Sequence, residues 1–315
     1  MSFRWLRVLG QRGLLGMNKR NADYIMSWNP RSAYPTVDDK ALTKELASRH
    51  GIPTPRTFHV LAHHGEIRHL AQRLANLEEF VIKPARGAGG SGILLVAGRS
   101  AGGFLKASGE PLSVEALRYH VSEILSGIHS LEGREDRALV ESMVHPHEVF
   151  ESVSYRGVPD VRVIVYRGVP AMAMVRLPTK ASDGKANLHR GAIGAGIVIS
   201  TGRTLPAVHR NSIVTTHPDT SHPVAGIQIP GWEQMLSMAS RASEMTGLGY
   251  LGADLVLDRD LGPLLLELNA RPGLAIQLAN GSGLAARLHR IDARWKEIGP
   301  TFQDRVAWAM ERFQD

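Results

Sequence analysis

Residues 85–92, ARGAGGSG, lie between two apolar stretches, and the β-like run on their C-terminal side narrows the choice of fold more than any other feature of the chain. Gly87, Gly89, Gly90 and Gly92 match the G-x-G-x-x-G spacing of dinucleotide-binding loops. That motif works only where a helix opens at the loop, so that the helix N-terminus meets the pyrophosphate. Here the next residues are ILLVAG, strand-like rather than helical, and the Lys-Ser/Thr ending of a phosphate-binding P-loop is missing. Doubly wound dinucleotide folds and P-loop folds are therefore excluded. What remains is a glycine hairpin between the strand EEFVIKP and the strand ILLVAG. Its bare amides can approach phosphates closely, Ser91 adds a hydroxyl, and Lys83 stands on the strand just before it.

The rest of the chain alternates in the same mixed way. Residues 38–50 and 67–77 read as amphipathic helices, and residues 112–129 as a third. RALVESMV reads as a strand, and DVRVIVYRGVPAMAMVRL as a hairpin turning at Arg167-Gly168. Residues 178–196 form a polar, glycine-rich loop too long to be idle. A helix over 233–246 stops at Gly247, and a closing helix is expected over 293–313. Interleaved helices and hairpins, without strict βαβ order, predict an α+β protein with antiparallel sheets.

A second constellation lies near the C-terminus. YLGADLVLDRD and GPLLLELN predict two antiparallel strands joined by a tight turn. Glu267 and Asn269, two residues apart, share a strand face, and pairing brings Asp254 opposite Glu267 or close to it. Two carboxylates and one amide make an all-oxygen set suited to a hard cation, Mg²⁺ or Mn²⁺, that also takes phosphate oxygens. The plainer alternative is a buried Glu267 satisfied by Arg271, with Asp254 capping a turn.

Bulk properties exclude more than they select. At 315 residues, 43% of them hydrophobic, the chain is long enough for one large domain or two modest ones. It contains no cysteine, so disulfides, thiolate metal sites and a cysteine nucleophile are excluded. Lysine and arginine number 37 against 30 acidic residues, a net +7 compatible with phosphates or acidic partners. Aromatics are sparse at 6% and no recognition motif appears, so no nucleic-acid partner is expected. Residues 1–20 scatter Arg4, Arg7, Arg12, Lys19 and Arg20 among apolar positions, which is not a signal-peptide pattern. The expectation is a cytoplasmic protein without a transmembrane segment, its N-terminus a surface helix or a basic element for peripheral membrane docking. His63-His64 and His145-Pro-His147 have the look of metal pairs, but nothing nearby completes either.

In order, DKALTK, FVIKPARGAGGSG, ALVESMV and GADLVL…LLLELNARPGL resemble the ATP-grasp superfamily, with the run Asn187-Leu188-His189-Arg190-Gly191 pointing to its α-L-glutamate ligase-like, RimK-related branch. The resemblance covers roughly residues 36–288. It implies an ATP-grasp fold, two α+β lobes with antiparallel sheets gripping ATP between them. Lys40 and Lys83 would hold the nucleotide phosphates, with Gly87, Gly89, Gly90, Ser91 and Gly92 closing over them. Glu141, Ser142, Met143 and Val144 would form the hinge that reads the adenine, and Asp160 would bind the ribose, with Glu148 and Glu151 as alternatives. Asn187 would stand near phosphate or metal, Arg190 would steady the acyl-phosphate, and Arg176 would reach the phosphates or the acyl intermediate. Arg162 stands at the matching place as a further catalytic candidate, and Asp254, Glu267 and Asn269 would hold Mg²⁺. The implied activity is an ATP-dependent ligase that joins a carboxylate to an amine, adding an amino acid such as glutamate to a peptide, protein or small acceptor. A small-molecule kinase and a nucleotide-binding subunit of a larger assembly are the alternatives.

The expected domains are a short docking segment over 1–35, a small lobe over 36–137, a large lobe over 138–290 and a closing helix over 291–315. The domain that precedes the first ATP-grasp helix in this family is strongly shortened here. A protein partner or a second copy is therefore expected to complete the acceptor site.

Overall fold

Both apolar stretches around the glycine run are strands, paired antiparallel with Ile82 opposite Leu94. In the computed structural model, residues 13–87, 89–130, 133–210 and 212–314 are described. They divide into two units, each with its own antiparallel sheet. The fold is α+β, as the interleaving of helices and hairpins predicts.

The smaller unit comprises Asp38–Glu45 and Pro55–Val144. The helix α1 (Lys40–Arg49) begins in it. Its six strands are β1 (Thr57–Leu61), β2 (Phe80–Pro84), β3 (Leu94–Ser100), β4 (Gly103–Lys106), β5 (Pro111–Leu112) and β6 (Ala138–Glu141), in the order β1-β6-β2-β3-β4-β5. Helix α2 (Val114–Leu125) covers this sheet with Leu117, Val121, Ile124 and Leu125, an i, i+4, i+7, i+8 stripe that is fully buried. Ser113 caps it by accepting from the Ala116 N–H at 3.1 Å. The helix expected over 67–77 is shorter: a 3₁₀ turn, His64–His69, runs into one α-turn, Leu70–Arg73. The lobe boundary expected at 137/138 falls after Val144 instead, because β6 pairs with both β1 and β2.

The larger unit holds residues 46–54 and 145–314 together with residues 13–37. Its sheet has seven strands in the order β11-β10-β9-β8-β7-β12-β13. These are β7 (Asp160–Tyr166), β8 (Val169–Leu177), β9 (Ile193–Ile197), β10 (Thr204–His209), β11 (Ser212–Val214), β12 (Tyr250–Asp258) and β13 (Gly262–Asn269). Strands β7 and β8 turn at Arg167 and Gly168, both with positive φ, as a two-residue hairpin demands. Helix α3 (Trp232–Thr246) packs Met235, Leu236, Ala239 and Ala242 into the core and ends at Gly247, whose φ of 71° supplies the left-handed cap.

One expectation about the termini changes, that for the closing helix. Residues 1–12, with Arg4, Arg7 and Arg12, lie outside the described residues. The described remainder of the N-terminal segment packs on its own unit: Arg20 is buried and donates to the Pro272 carbonyl at 2.8 Å, and Tyr24 meets Tyr166 edge-on. The single closing helix is broken. After α4 (Leu284–Ala293) comes a 3₁₀ turn, Trp295–Glu297, and then α5 (Phe302–Arg312). Gly299-Pro300 interrupts the helix, and Thr301 with Asp304 starts a new one through a capping box. Among the described residues, no helix is long and apolar enough to cross a membrane.

Candidate functional site

In the larger unit the antiparallel register builds the constellation before any side chain is considered. Glu267 lies opposite Asp254, and Asp254 lies opposite Arg162 on its other neighbour. Asn269 faces Gly252, and Asp160 faces Arg176. Residues directly across a ladder share a face, so Glu267, Asp254 and Arg162 form one row over three strands. A bulge in β13 makes this possible. The ladder runs Val256 to Leu264 and Leu255 to Leu265, then skips Leu266 before joining Asp254 to Glu267. An unbroken ladder would have set Leu266 opposite Asp254; the extra residue re-aims the strand and places a second carboxylate there.

Two arginines bind this row. Arg162 grips Asp254 in a fork, Nε to Oδ1 at 2.7 Å and Nη2 to Oδ2 at 2.6 Å. Arg176 donates through Nη2 to Asp254 Oδ2 at 2.9 Å and to Asp160 Oδ2 at 2.6 Å, joining the two aspartates. Asn269 Nδ2 also donates to Asp254 Oδ2, at 3.1 Å, which leaves Oδ1 as its acceptor atom. Asp254 is fully buried and Asp160 nearly so. Burial pushes the Asp160 carboxyl up to about 7, against the pull of Arg176. Burial acts on Asp254 in the same direction, but the guanidiniums of Arg162 and Arg176 outweigh it and hold that carboxyl far below the usual range.

This donor set fits a divalent cation. With Asp160 ionised, Asp160, Asp254 and Glu267 set three carboxylates against the two guanidiniums of Arg162 and Arg176, one negative charge in surplus. The oxygens of Asp254, Glu267 and Asn269 are hard donors on adjacent rigid strands, and no imidazole or sulfur stands among them. The two remaining large-unit candidates sit on a separate 3₁₀ turn, Leu188–Arg190. Asn187 caps that turn by accepting from the His189 N–H at 3.0 Å, Gly191 closes it at φ 105°, and Arg190 is exposed. Glu148 and Glu151 are exposed on the turn Glu148–Val153.

The smaller unit gathers its own charges around Glu141, the last residue of β6. The Glu141 carboxylate is 2% exposed and lies between two ammonium groups, Lys83 Nζ at 2.8 Å from Oε2 and Lys44 Nζ at 2.9 Å from Oε1. One carboxylate against two lysines leaves a positive surplus. Burial and the neighbouring Lys83 charge lower the Lys44 amine to about 8. Lys44 also donates to the Pro55 carbonyl at 2.5 Å, and Lys40, one helical turn earlier on α1, donates to the Gly87 carbonyl at 2.5 Å. Beyond Glu141, Ser142 is locked to Arg56 by two hydrogen bonds, N to O at 2.8 Å and Arg56 N to Oγ at 3.0 Å. Met143 and Val144 come next, half-buried.

The glycine hairpin is anchored at its base. The Asp136 carboxylate accepts from the Arg86 N–H at 3.0 Å and from Ser130 Oγ at 2.6 Å, and Gly87 bridges to Ser130. A Cβ on Gly87 would lie 2.3 Å from the Pro84 ring, so only glycine passes there. Gly89, Gly90 and Gly92 have φ between 62° and 76°, the left-handed region that glycine enters without cost.

The structure thus joins Asp160, Arg162, Arg176, Asp254 and Asn269 by direct bonds and sets Glu267 beside them by register. It joins Lys83 to Glu141 in the other unit. Lys44 is the residue that sequence reasoning missed, although a signal existed: it lies four positions after Lys40 and so shares its helix face.

The model of the sugar-transfer-associated ATP-grasp family matches residues 19–293. No curated protein matches the chain. Among solved structures, the ATP-grasp ligase PsnB complexed with a minimal precursor is 14% identical at a TM-score of 0.45, covering 84% of this chain. The chain spans only 62% of that PsnB chain. The D-cycloserine synthetase DcsG is 16% identical at 0.45, over 90% of this chain and 73% of its own. A RimK-domain ATP-grasp protein from Sphaerobacter thermophilus is 15% identical at 0.45, over 84% and 70%. With the family model spanning both sheets and both charged constellations, this chain belongs to the sugar-transfer-associated ATP-grasp family.

Proposed function

We propose that the chain is an ATP- and Mg²⁺-dependent carboxylate–amine ligase that forms an amide through an acyl-phosphate. The observation that carries this reading is Asp254 gripped by Arg162 and Arg176, with Glu267 opposite it in the ladder and Asn269 bonded to it. In the reaction, the γ-phosphoryl group passes to a substrate carboxylate oxygen and ADP leaves. The amine nitrogen then attacks the acyl carbon, phosphate departs, and the C–N bond remains. Such catalysis needs positioning and charge neutralisation rather than a protein nucleophile, which suits a chain without cysteine.

Each group has a part in this proposal. Lys83 and Lys40 neutralise nucleotide phosphates while Gly87, Gly89, Gly90, Ser91 and Gly92 present backbone amides to them. Glu141 keeps Lys83 oriented, and the backbone of Ser142, Met143 and Val144 reads the adenine edge. Arg162 and Arg176 orient Asp254 and meet the charge that develops on the acyl-phosphate. Arg190, presented by the turn that Asn187 caps, adds a third guanidinium. Mg²⁺ bound by Asp254, Glu267 and Asn269 supplies neutralisation of phosphate oxygens. Because the Asp160 carboxylate is engaged by Arg176, we assign it to positioning that arginine and assign the ribose to Glu148 or Glu151.

The test is a mass-resolved screen. Purified protein with ATP, Mg²⁺ and pools of amino acids, peptides and amino sugars should release ADP and phosphate with a product heavier by one condensed unit. A stable phosphorylated product without an amine requirement would identify a small-molecule kinase instead. Glu267→Ala should abolish metal-dependent turnover with little loss of stability, since Glu267 is only half-buried. Full turnover in that variant would refute the metal assignment.

A further inference from the structure

The smaller unit holds a cluster of imidazoles and a carboxylate that the proposed ligase chemistry does not use. His120 and Glu123 stand three apart on α2, which puts them on one face of the helix. His129 reaches the same place from the turn after the helix, where Gly127 reverses the chain at φ 81°. The three side chains each offer one ligand atom, and these atoms lie within 4.8 Å of one another. His120 Nδ1 and His129 Nε2 are both 3.9 Å from Glu123 Oε2.

The other ring nitrogens fix what faces the centre. His120 Nε2 lies 3.0 Å from the Gly92 carbonyl, which can only accept, so that nitrogen carries the proton and Nδ1 presents a lone pair toward Glu123. His129 Nδ1 bonds to Ser91 Oγ at 3.3 Å, while its Nε2 is buried without a hydrogen-bond partner. Two ring nitrogens and a carboxylate oxygen thus converge, with His129 Nε2 lacking a hydrogen-bond partner, an arrangement that a cation relieves.

We propose that His120, Glu123 and His129 form a Zn²⁺-type site that pins the glycine hairpin. The donor set, two imidazoles and one carboxylate, is the three-ligand pattern that leaves a fourth position open to water. Imidazole donors favour zinc-like ions over the Mg²⁺ suited to Asp254, Glu267 and Asn269. Tetrahedral ligation at about 2.0–2.1 Å requires neighbouring ligand atoms about 3.4 Å apart. The two histidine–glutamate separations are 3.9 Å and the third pair lies within 4.8 Å, so ligation draws the three side chains together by about 1 Å. Both rings hold the hairpin by their outer nitrogens, at Ser91 and Gly92, the second contacts that orient metal-bound histidines. Metal binding therefore orders residues 89–92, and the site stands or falls independently of the ligase reading.

The experiment uses the full chain without a polyhistidine tag, stripped with EDTA and titrated with Co²⁺ alone. The expected result is one Co²⁺ per chain with the intense visible absorption of a tetrahedral ion, displaced by Zn²⁺, and slowed hydrogen exchange at residues 89–92. Glu123→Gln and His129→Gln should each weaken Co²⁺ binding at least about tenfold and remove the exchange protection. His145→Gln with His147→Gln, which removes a different histidine pair, should leave both unchanged. A wild-type chain without the spectrum overturns the site, as does binding lost in the His145/His147 variant and kept in the other two. Binding without protection at residues 89–92 overturns the coupling to the hairpin.

Discussion

The two units bury charge in opposite proportions. Around Glu141 two lysines share one carboxylate, whereas around Asp254 two arginines share three carboxylates, counting Asp160 and Glu267. The first cluster is short of an anion and the second of a cation. The choice of base obeys the same division. Lysine is a compact charge on a flexible stem whose pKa gives way under burial, as Lys44 shows. Arginine keeps its charge and grips with a fixed fork, so Arg162 and Arg176 can hold buried carboxylates in register with the sheet. On the proposed function, one cluster would receive phosphate charge and the other would keep ligand oxygens still.

That contrast breaks most visibly at Asp254. Asp254→Asn leaves two guanidiniums without the charge they share, so unfolding in denaturant should show a loss of about 3–5 kcal/mol. Mg²⁺-dependent ADP release should vanish with it. Glu141→Gln applies the same test to the smaller unit. The loss there should be nearer about 3 kcal/mol, because lysine stems can relax toward water, and millimolar phosphate should recover part of it. Stability unchanged in both variants would mean that neither cluster is held by its charges.

A smaller effect reads the sign of the lysine cluster. The folded pKa of Lys44, about 8, lies below the 10.5 of an ordinary lysine. Its contribution to stability is therefore present above the unfolded value and lost as pH falls through about 8. Between pH 8 and 10.5 the unfolded chain binds the extra proton, so unfolding free energy should rise with pH in that window, and Lys44→Met should flatten the rise. The smallest effect belongs to Gly92. Its φ is 71° and a Cβ would meet the His129 ring at 2.6 Å, so Gly92→Ala should cost about 1 kcal/mol by thermal unfolding and shift the His129 NMR signals.

Much of this was legible in the chain itself. A strand after GAGGSG excluded the helix-led nucleotide folds, and period-two runs around Arg167-Gly168 and Asp258–Gly262 located two hairpins. Local signals suffice where a short-range rule decides the outcome: glycine at a left-handed cap, or a tight turn between apolar runs. They failed where distant segments decide. Strand β6 joined the smaller sheet because β1 and β2 offered it edges, and nothing within ALVE specifies that. The site formed by His120, Glu123 and His129 escaped because its third member comes from the turn beyond the helix, while the adjacent pairs at His63 and His145 drew attention.

GPLLLELN holds the division in eight residues. Its composition determined a buried strand ending in a carboxylate and an amide, because leucines leave water and period two sorts the faces. Which residue would stand opposite Asp254 was decided only by the folded sheet. Leucine contacts hold Leu264 and Leu265 in register with β12, and the bulge at Leu266 turns Glu267 onto the face that Arg162 and Arg176 already occupy. A one-residue shift in a ladder exchanges the faces, and that shift is a property of two strands together, never of one alone.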